Sequence, residues 1–354
     1  MGLDQNFWKG KRILITGHSG FKGSWLALFL SDLGSELYGL SDKVLSPPSM
    51  FEVAKISSIY KESAYIDIRN QSKLTKFITK IEPEIIFHLA AQSIVQASYT
   101  DPVETYTTNL IGTLNIFESI RNSSSVRSLV NVTSDKCYEN KEQIWGYREI
   151  DSLGGFDPYS SSKACSEILT NSYRNSFFSE MGIGVASARS GNVIGGGDWA
   201  SNRLVPDAIR ALISDKSLRI RSPISTRPWQ HVFEPLMGYM LLAQNLYRFP
   251  EKYSGPWNFG PNNENEKTVA QLIDEISNLI PIKIDLNKNE NTYKHEANFL
   301  KLDSSKSRKL LNWSPLLDFS SSVKITIAWY KAWINGEQMR EFSHRQINDY
   351  LKLS

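Results

Sequence analysis

Arg12-Ile13-Leu14-Ile15-Thr16 is a short apolar, β-branched run that opens directly into Gly17-His18-Ser19-Gly20-Phe21-Lys22-Gly23. Ser24-Trp25-Leu26-Ala27-Leu28-Phe29-Leu30 follows with no break. A buried strand, a glycine turn and an apolar helix in immediate succession leave few folds open. Glycines at such a turn let the backbone approach a pyrophosphate, which then rests on the positive end of the helix. The spacing is G-x-x-G-x-x-G rather than G-x-G-x-x-G. Gly17, Ser19, Gly20, Phe21, Lys22 and Gly23 are therefore the candidate phosphate cradle, and a plain glycine turn is the alternative.

The next apolar run, Glu36 to Leu40, ends at Ser41-Asp42. An acid at that place grips the adenosine ribose hydroxyls and repels a 2′-phosphate, which favours NAD over NADP; the neighbouring Lys43 works against that preference. Strands and helices then alternate. Ala64 to Arg69 precedes a helix from Gln71 to Ile81, which Pro83 stops. Ile85 to Ala91 reads as a buried strand with small residues at its carboxyl end. A helix over 102–121, a strand over 128–133, a long helix over 158–178 and a strand over 184–189 complete the series. The fold class is α/β: a doubly wound parallel sheet, with ligands at the carboxyl ends of its strands.

Past residue 190 the texture changes. Gly191-Asn192-Val193-Ile194-Gly195-Gly196-Gly197 is a loop, either a ligand approach or a simple turn, and Pro206, Pro223, Pro228 and Pro235 punctuate short elements. The expected organisation is a nucleotide-binding domain over 1–190, with a return strand near 255–262, and a smaller substrate lobe over 191–354. Residues 282–296, rich in Asn and Lys, read as a mobile surface segment.

The 354 residues carry a net charge of only +3, which gives no strong pull toward nucleic acid or membrane. Cys137 and Cys165 lack metal-ligand spacing and point to a reducing, cytoplasmic setting, with no metal site expected. Residues 1–11 do not resemble a secretory leader, and no run approaches the length of a membrane span. His88 is expected to pack at a strand end. Trp199 and Trp229 read as core aromatics or as a stacking surface for a base, and Arg219 and Arg221 as solvent-facing.

Tyr159 and Lys163 stand four apart, on one helix face. A lysine beside a phenol favours the phenolate, giving a base that works well below the free tyrosine value of ~10. The Y-x-x-x-K pair is weak evidence alone. It gains weight from the glycine turn, from Thr133-Ser134-Asp135-Lys136, from His88-Leu89-Ala90-Ala91, from the Asp67-Ile68 pair, and from Asn109 in Thr107-Thr108-Asn109-Leu110-Ile111-Gly112-Thr113.

Together these residues resemble the extended short-chain dehydrogenase/reductase family over most of the chain, and the resemblance implies a Rossmann domain that binds NAD. Within that family, Ser134-Asp135-Lys136 occupies the place where nucleotide-sugar 4,6-dehydratases carry an acid/base pair. The run Thr133 to Asn140, with Trp145 to Glu149 and the segment Asp151 to Ser162, is similar to the CDP-glucose branch of those enzymes. The resemblance implies cofactor contacts from Gly17, Ser19, Gly20, Phe21, Lys22, Gly23, Asp42, Asp67, Ile68, Leu89, Ala90, Ala91, Tyr159 and Lys163. It implies substrate contacts from Gln92, Ser134, Asn192, Arg203 and Arg227, the last suited to a pyrophosphate by its planar fork of donors. It also implies a homodimer, or a tetramer built from dimers, through helices near 101–121 and 158–178. The expected setting is deoxysugar synthesis for lipopolysaccharide or O-antigen.

By position, Tyr159 takes the O4 proton, Ser134 shares that hydrogen bond, Lys163 holds the nicotinamide ribose, Asp135 is the acid for the C6 hydroxyl and Lys136 the base for C5. Free Asp and Lys are both in the wrong protonation state at pH 7. Reversing each from reference values near ~3.9 and ~10.4 needs about 4 to 5 kcal/mol. Burial acts in the right direction, and the pair can also titrate as a unit. A solvated ion pair is the plain alternative. A 4-epimerase with the same Tyr/Lys/NAD machinery, or a non-catalytic NAD-sensing scaffold, are the competing functions. Asp135-Lys136 argues against the first, and the retained Ser134, Tyr159 and Lys163 against the second.

Overall fold

The computed structural model describes residues 2–44, 47–220, 223–262, 266–285 and 300–353. Seven strands form one sheet: β1 Arg12–Thr16, β2 Glu36–Ser41, β3 Tyr60–Tyr65, β4 Ile85–His88, β5 Ser128–Val132, β6 Gly184–Ser190 and β7 Gly255–Phe259. Their order is β7-β6-β5-β4-β1-β2-β3 and every pairing is parallel. Leu14 lies opposite Tyr38 on one side and Ile86 on the other. The chain reverses its direction of travel across the sheet between β1 and β4, which is where an open α/β sheet holds its ligand.

Both faces are covered, so the strands read as apolar runs rather than alternating ones. Ile13 and Ile15 point into the larger core, and Leu14 points into the other, with Leu74, Ile78, Ile116 and Phe117. Phe117 is thus an interior residue and takes no part in any outer face.

Several elements differ from the expectation at their ends. The third strand is Tyr60–Tyr65, earlier than the Ala64–Arg69 run, because Asp67 and Arg69 pair with each other at its exit. The fourth strand stops at His88, where the Thr16 hydroxyl takes over as partner for the Ala90 amide. Both long helices carry π turns, at Thr107–Ile111 and Arg174–Phe178. Most of 282–296 lies outside the described residues, as does Arg221; Arg219 is exposed.

The region past 190 is more helical than its prolines suggest. Leu204–Ile213 and Phe233–Arg248 each place a proline in their first turn, where the missing N–H has no partner to lose. Phe233–Arg248 is buried continuously from Phe233 to Leu246. It is tied to β5 by Ser128 Oγ, which donates to Ala243 O at 3.0 Å, and to the Met339–Leu351 helix by Tyr350. Three small strand pairs complete this half: Val193–Ile194 with Gln230–His231, Thr226–Pro228 with Glu266–Thr268, and Ser217–Arg219 with Lys283–Asp285. Trp229 is buried, and Trp199 packs edge-on against Tyr330 and Trp333. Both serve as core aromatics.

Candidate active site

The glycine turn closes onto the sheet edge left by β1 and β4. Gly17 has φ +72°, and a Cβ there would lie 2.9 Å from Ala90 N. One on Gly23 would lie 2.3 Å from Gly17 O. The Phe21–Asp32 helix then starts with neither a side-chain cap nor an acidic residue in its first turn. That uncapped, positively polarised start suits a dinucleotide pyrophosphate.

The side chains around it are more committed than the sequence suggests. Ser19 Oγ donates to Lys43 O at 2.8 Å and to Ser41 Oγ at 3.0 Å, so it holds the exit of β2. Phe21 packs towards Gly195, whose added Cβ would meet the ring at 3.0 Å. Lys22 reaches the end of β6. Its Nζ donates to Ser190 Oγ at 2.9 Å, and loss of hydration holds its ammonium down to about 7. At the adenosine end Asp42 is exposed beside Lys43, while Asp67 is paired with Arg69, which lowers its carboxyl. Ile68 is buried against Gly112. Leu89, Ala90 and Ala91 follow β4 beside Gly17.

His88 is a packing residue, bound to Thr16 at 2.7 Å and Thr113 at 3.0 Å and held down to about 3 by burial. Gln92, expected on the substrate, is used within its own loop. Its side-chain amide donates to Ile94 O and Thr105 Oγ1, and its oxygen accepts from Ile94 N. Asn109 ties that loop to the next helix, donating to Gln92 O at 3.0 Å and Ser162 Oγ at 2.9 Å.

The Pro158–Tyr173 helix begins under Asp157, which caps Ser160 N at 2.9 Å, with Pro158 in the first turn. Tyr159 and Lys163 both face inward and are buried. The Tyr159 hydroxyl lies near Ser134, which acts on its ionisation. Lys163 Nζ donates to Val132 O at 3.3 Å. The expected lowering of the phenol is not what the protein alone produces: burial pushes Tyr159 up to about 12, against the effect of Ser134. Lys163 itself is lowered to about 8 by burial, which Glu167 opposes.

Ser134 caps a single 3₁₀ turn, Asp135–Cys137, accepting from Lys136 N at 3.2 Å and donating to Asp135 Oδ1 at 2.9 Å. Lys136 Nζ stands 3.9 Å from Asp135 Oδ1, with side-chain exposures of 18% and 5%. That pair is enclosed, not a solvated surface contact. Asp135 Oδ2 faces Gly191, where a Cβ would come within 3.0 Å of it and 3.6 Å of Pro228, and Asn192 follows in the chain. Arg203 is fixed by Asp198 Oδ2 at 2.8 Å and acts electrostatically on Tyr159. Arg227 Nη1 donates to Thr226 O at 3.0 Å. Gly195 and Gly196 are packing glycines: an added Cβ would meet Val232 at 2.8 Å and Trp329 at 2.1 Å respectively.

The structure thus gathers Lys22, Ser134, Asp135, Tyr159, Lys163 and Arg203 around one centre, with Gly191 and Asn192 at its wall. Ser190, Tyr239, Glu167 and Arg189 also belong there and were missed from the sequence. Glu167 alone had a local signal, since it lies one further turn along the face of Tyr159 and Lys163.

A family model described as GDP-mannose 4,6 dehydratase matches residues 14–326. A curated CDP-glucose 4,6-dehydratase of Salmonella typhimurium is 45% identical, covering 99% of this chain and 98% of that one. The dTDP-glucose 4,6-dehydratase of the same organism is 25% identical over 92% of this chain and 95% of its own. A solved dTDP-glucose 4,6-dehydratase from Bacillus anthracis in complex with NAD superposes with a TM-score of 0.75 at 21% identity, covering 91% and 97% of the two chains. At that identity the likeness speaks for the fold alone. The chain belongs to the nucleotide-sugar dehydratases of the GDP-mannose 4,6 dehydratase family.

Proposed function

We infer that this protein converts CDP-glucose to CDP-4-keto-6-deoxyglucose and water. The observation that carries the reading is the near full-length 45% identity to a CDP-glucose 4,6-dehydratase. The enclosed Asp135–Lys136 pair beside Tyr159 supports it, because a 4-epimerase has no C5 proton or C6 hydroxyl to handle.

NAD is the cofactor, and when bound it would supply the hydride acceptor for C4 and the hydride donor for C6. Gly17, Gly20 and Gly23 let the pyrophosphate reach the start of the Phe21–Asp32 helix, and Asp42 meets the adenosine ribose. Tyr159, beside Ser134, would receive the O4 proton, and Lys163 would hold the nicotinamide ribose. Once C4 is a ketone the C5 proton is acidified. Lys136 would remove it and Asp135 would protonate the departing C6 hydroxyl; as hydride returns to C6, Lys136 would give a proton back to C5, and the proton Tyr159 took from O4 would restore Asp135 by way of solvent. Asn192, Arg203 and Arg227 bind the nucleotide sugar, with the Rossmann half (1–190 and the return strand) carrying the cofactor and segments of 191–354 the sugar nucleotide. Gln92 supports this site through its loop.

Among the described residues no helix is long and apolar enough to cross a membrane. We place the protein in the cytoplasm, making a precursor for deoxysugars of the lipopolysaccharide or O-antigen kind, as a homodimer or a dimer-based tetramer.

Incubation with CDP-, dTDP-, UDP- and GDP-hexoses, followed by mass spectrometry for loss of one water, tests the substrate assignment; turnover of the CDP sugar is expected. Lys136→Ala tests the roles. It should still form NADH transiently, while product and solvent-deuterium uptake at C5 fall by roughly 10²–10⁴-fold. Tyr159→Phe should give no NADH signal. Near-normal turnover of Lys136→Ala would remove the lysine from the mechanism.

A further inference from the structure

Below Lys163 on the same helix face sits a fully buried carboxylate, Glu167, that the reaction scheme does not use. Its Oε1 accepts from Thr133 Oγ1 at 2.5 Å, and its Oε2 accepts from Ser187 Oγ at 2.6 Å and Arg189 Nη2 at 2.7 Å. Both members of the ion pair have side chains only 3% exposed. Those three donors come from the exit of β5 and from β6, so one side chain joins three elements. Thr133 immediately precedes Ser134 and follows Val132, whose carbonyl accepts from Lys163. Arg189 continues the connection: its Nη1 donates to Tyr138 OH at 2.7 Å, directly after the Asp135–Cys137 turn. Tyr138 OH in turn donates to Asn258 Oδ1 on β7 at 2.8 Å.

We propose that Glu167 is a positioning residue for the reaction, fixing the catalytic helix against the β5 and β6 exits and supplying the negative charge that keeps Lys163 an ammonium ion. The inference rests on the assignment of Tyr159 and Lys163 made above. A network this enclosed constrains the register of the helix. Slippage would part Lys163 from Val132 O and carry Tyr159 along the same face away from its place near Ser134. The charges around Lys163 make Glu167 the decisive one. From its own helix it faces Glu167, from the 3₁₀ turn it faces the buried thiol of Cys137, and Lys22 and His88 feel its charge from the glycine-turn helix and β4. Glu167 in turn faces Arg189 from β6, Cys137, and Arg174 beyond the end of its own helix. Of the groups facing Lys163, Glu167 is the principal one that opposes burial and favours its charged form.

The test uses the full chain and needs no turnover. Competitive acylation with acetic anhydride across pH, read by peptide mass spectrometry, reports the titration of Lys163. Glu167→Gln should move the Lys163 titration to lower pH by on the order of one unit. Glu167→Asp keeps the charge and should leave the titration near the parent's. Should Glu167→Gln fail to fold with Arg189 left unpaired, Glu167→Gln/Arg189→Met removes both charges at once and should show the same acid shift. The pH profile of transient NADH formation with CDP-glucose should follow the acylation data, losing its alkaline limb at lower pH in the Gln variants. An unshifted Lys163 titration in a folded Gln variant would overturn the proposal, as would an Asp variant that shifts as far as Gln. If the parent does not act on CDP-glucose, the acylation arm still decides the role of Glu167, so the two failures can be told apart.

Discussion

Glu234 offers a quantitative test of how burial and hydrogen bonding compete in this fold. It lies in the first turn of the Phe233–Arg248 helix with 0% exposure. It accepts from Leu316 N at 3.0 Å, Leu317 N at 2.8 Å and Tyr350 OH at 2.9 Å. Those bonds favour the carboxylate, yet burial outweighs them and pushes the group up to about 7 from an ordinary 4.5. A rise of about 2.5 corresponds to ~3 kcal/mol of differential stability. Because the folded value lies above the unfolded one, the stabilisation is fully present below about pH 4.5 and is lost as pH rises through about 7. Glu234→Gln cannot ionise. It keeps an oxygen for the Leu316 and Leu317 amides, while Tyr350 must turn to accept, at a cost of ~1 kcal/mol. Urea denaturation followed by tryptophan fluorescence from pH 4 to 9 should therefore give curves that cross. The variant should be weaker by ~1 kcal/mol at the acid end and stronger by ~2 kcal/mol at the alkaline end. Parallel curves at every pH would mean that the three donors keep Glu234 ionised throughout, and the reasoning from burial would fail.

Gly155 packs against the start of the catalytic helix, where an added Cβ would lie 2.2 Å from Ser161 N. Gly155→Ala should cost ~1–3 kcal/mol in denaturation measurements and lower turnover at least as much as stability, since Tyr159 must move with that backbone. Asp42→Ala should narrow the preference for NAD over NADP, read as the ratio of their dissociation constants by calorimetry, because the exposed carboxylate no longer opposes a 2′-phosphate. Ile111 and Ile168 are 43% and 59% exposed on the two helices expected to meet in a dimer. Ile168→Glu should shift sedimentation toward monomer, and an unchanged species would place the interface elsewhere.

The sheet was legible because its physics is local. Parallel strands buried on both faces are nearly continuous apolar runs, so Ile13 to Ile15, Ile85 to Phe87 and Leu129 to Val132, broken only by Asn131, announced themselves. The Phe233–Arg248 helix was not, because an element buried on every side shows no amphipathic period, and Pro235 masqueraded as a breaker. The direction of Lys22 was also hidden: its partners Ser190 and Tyr239 lie 168 and 217 residues away.

The catalytic helix reverses the usual pattern, and that reversal links fold to function. Pro158–Tyr173 buries Ser160, Ser162, Lys163, Ser166, Glu167 and Thr170 while leaving Ile168 outside. It is held to the sheet by hydrogen bonds such as Asn131 Nδ2 to Thr170 Oγ1 at 2.8 Å and by the Glu167–Arg189 pair, in addition to the apolar packing of Ala164, Leu169 and Tyr173. Apolar contacts tolerate small slides, whereas a directional polar network loses several bonds at once when its register changes. A helix carrying two groups that must meet Ser134 and Val132 within hydrogen-bond reach benefits from the second kind of attachment. Ile168 is left outside because the inward positions are taken by the polar groups that fix the register.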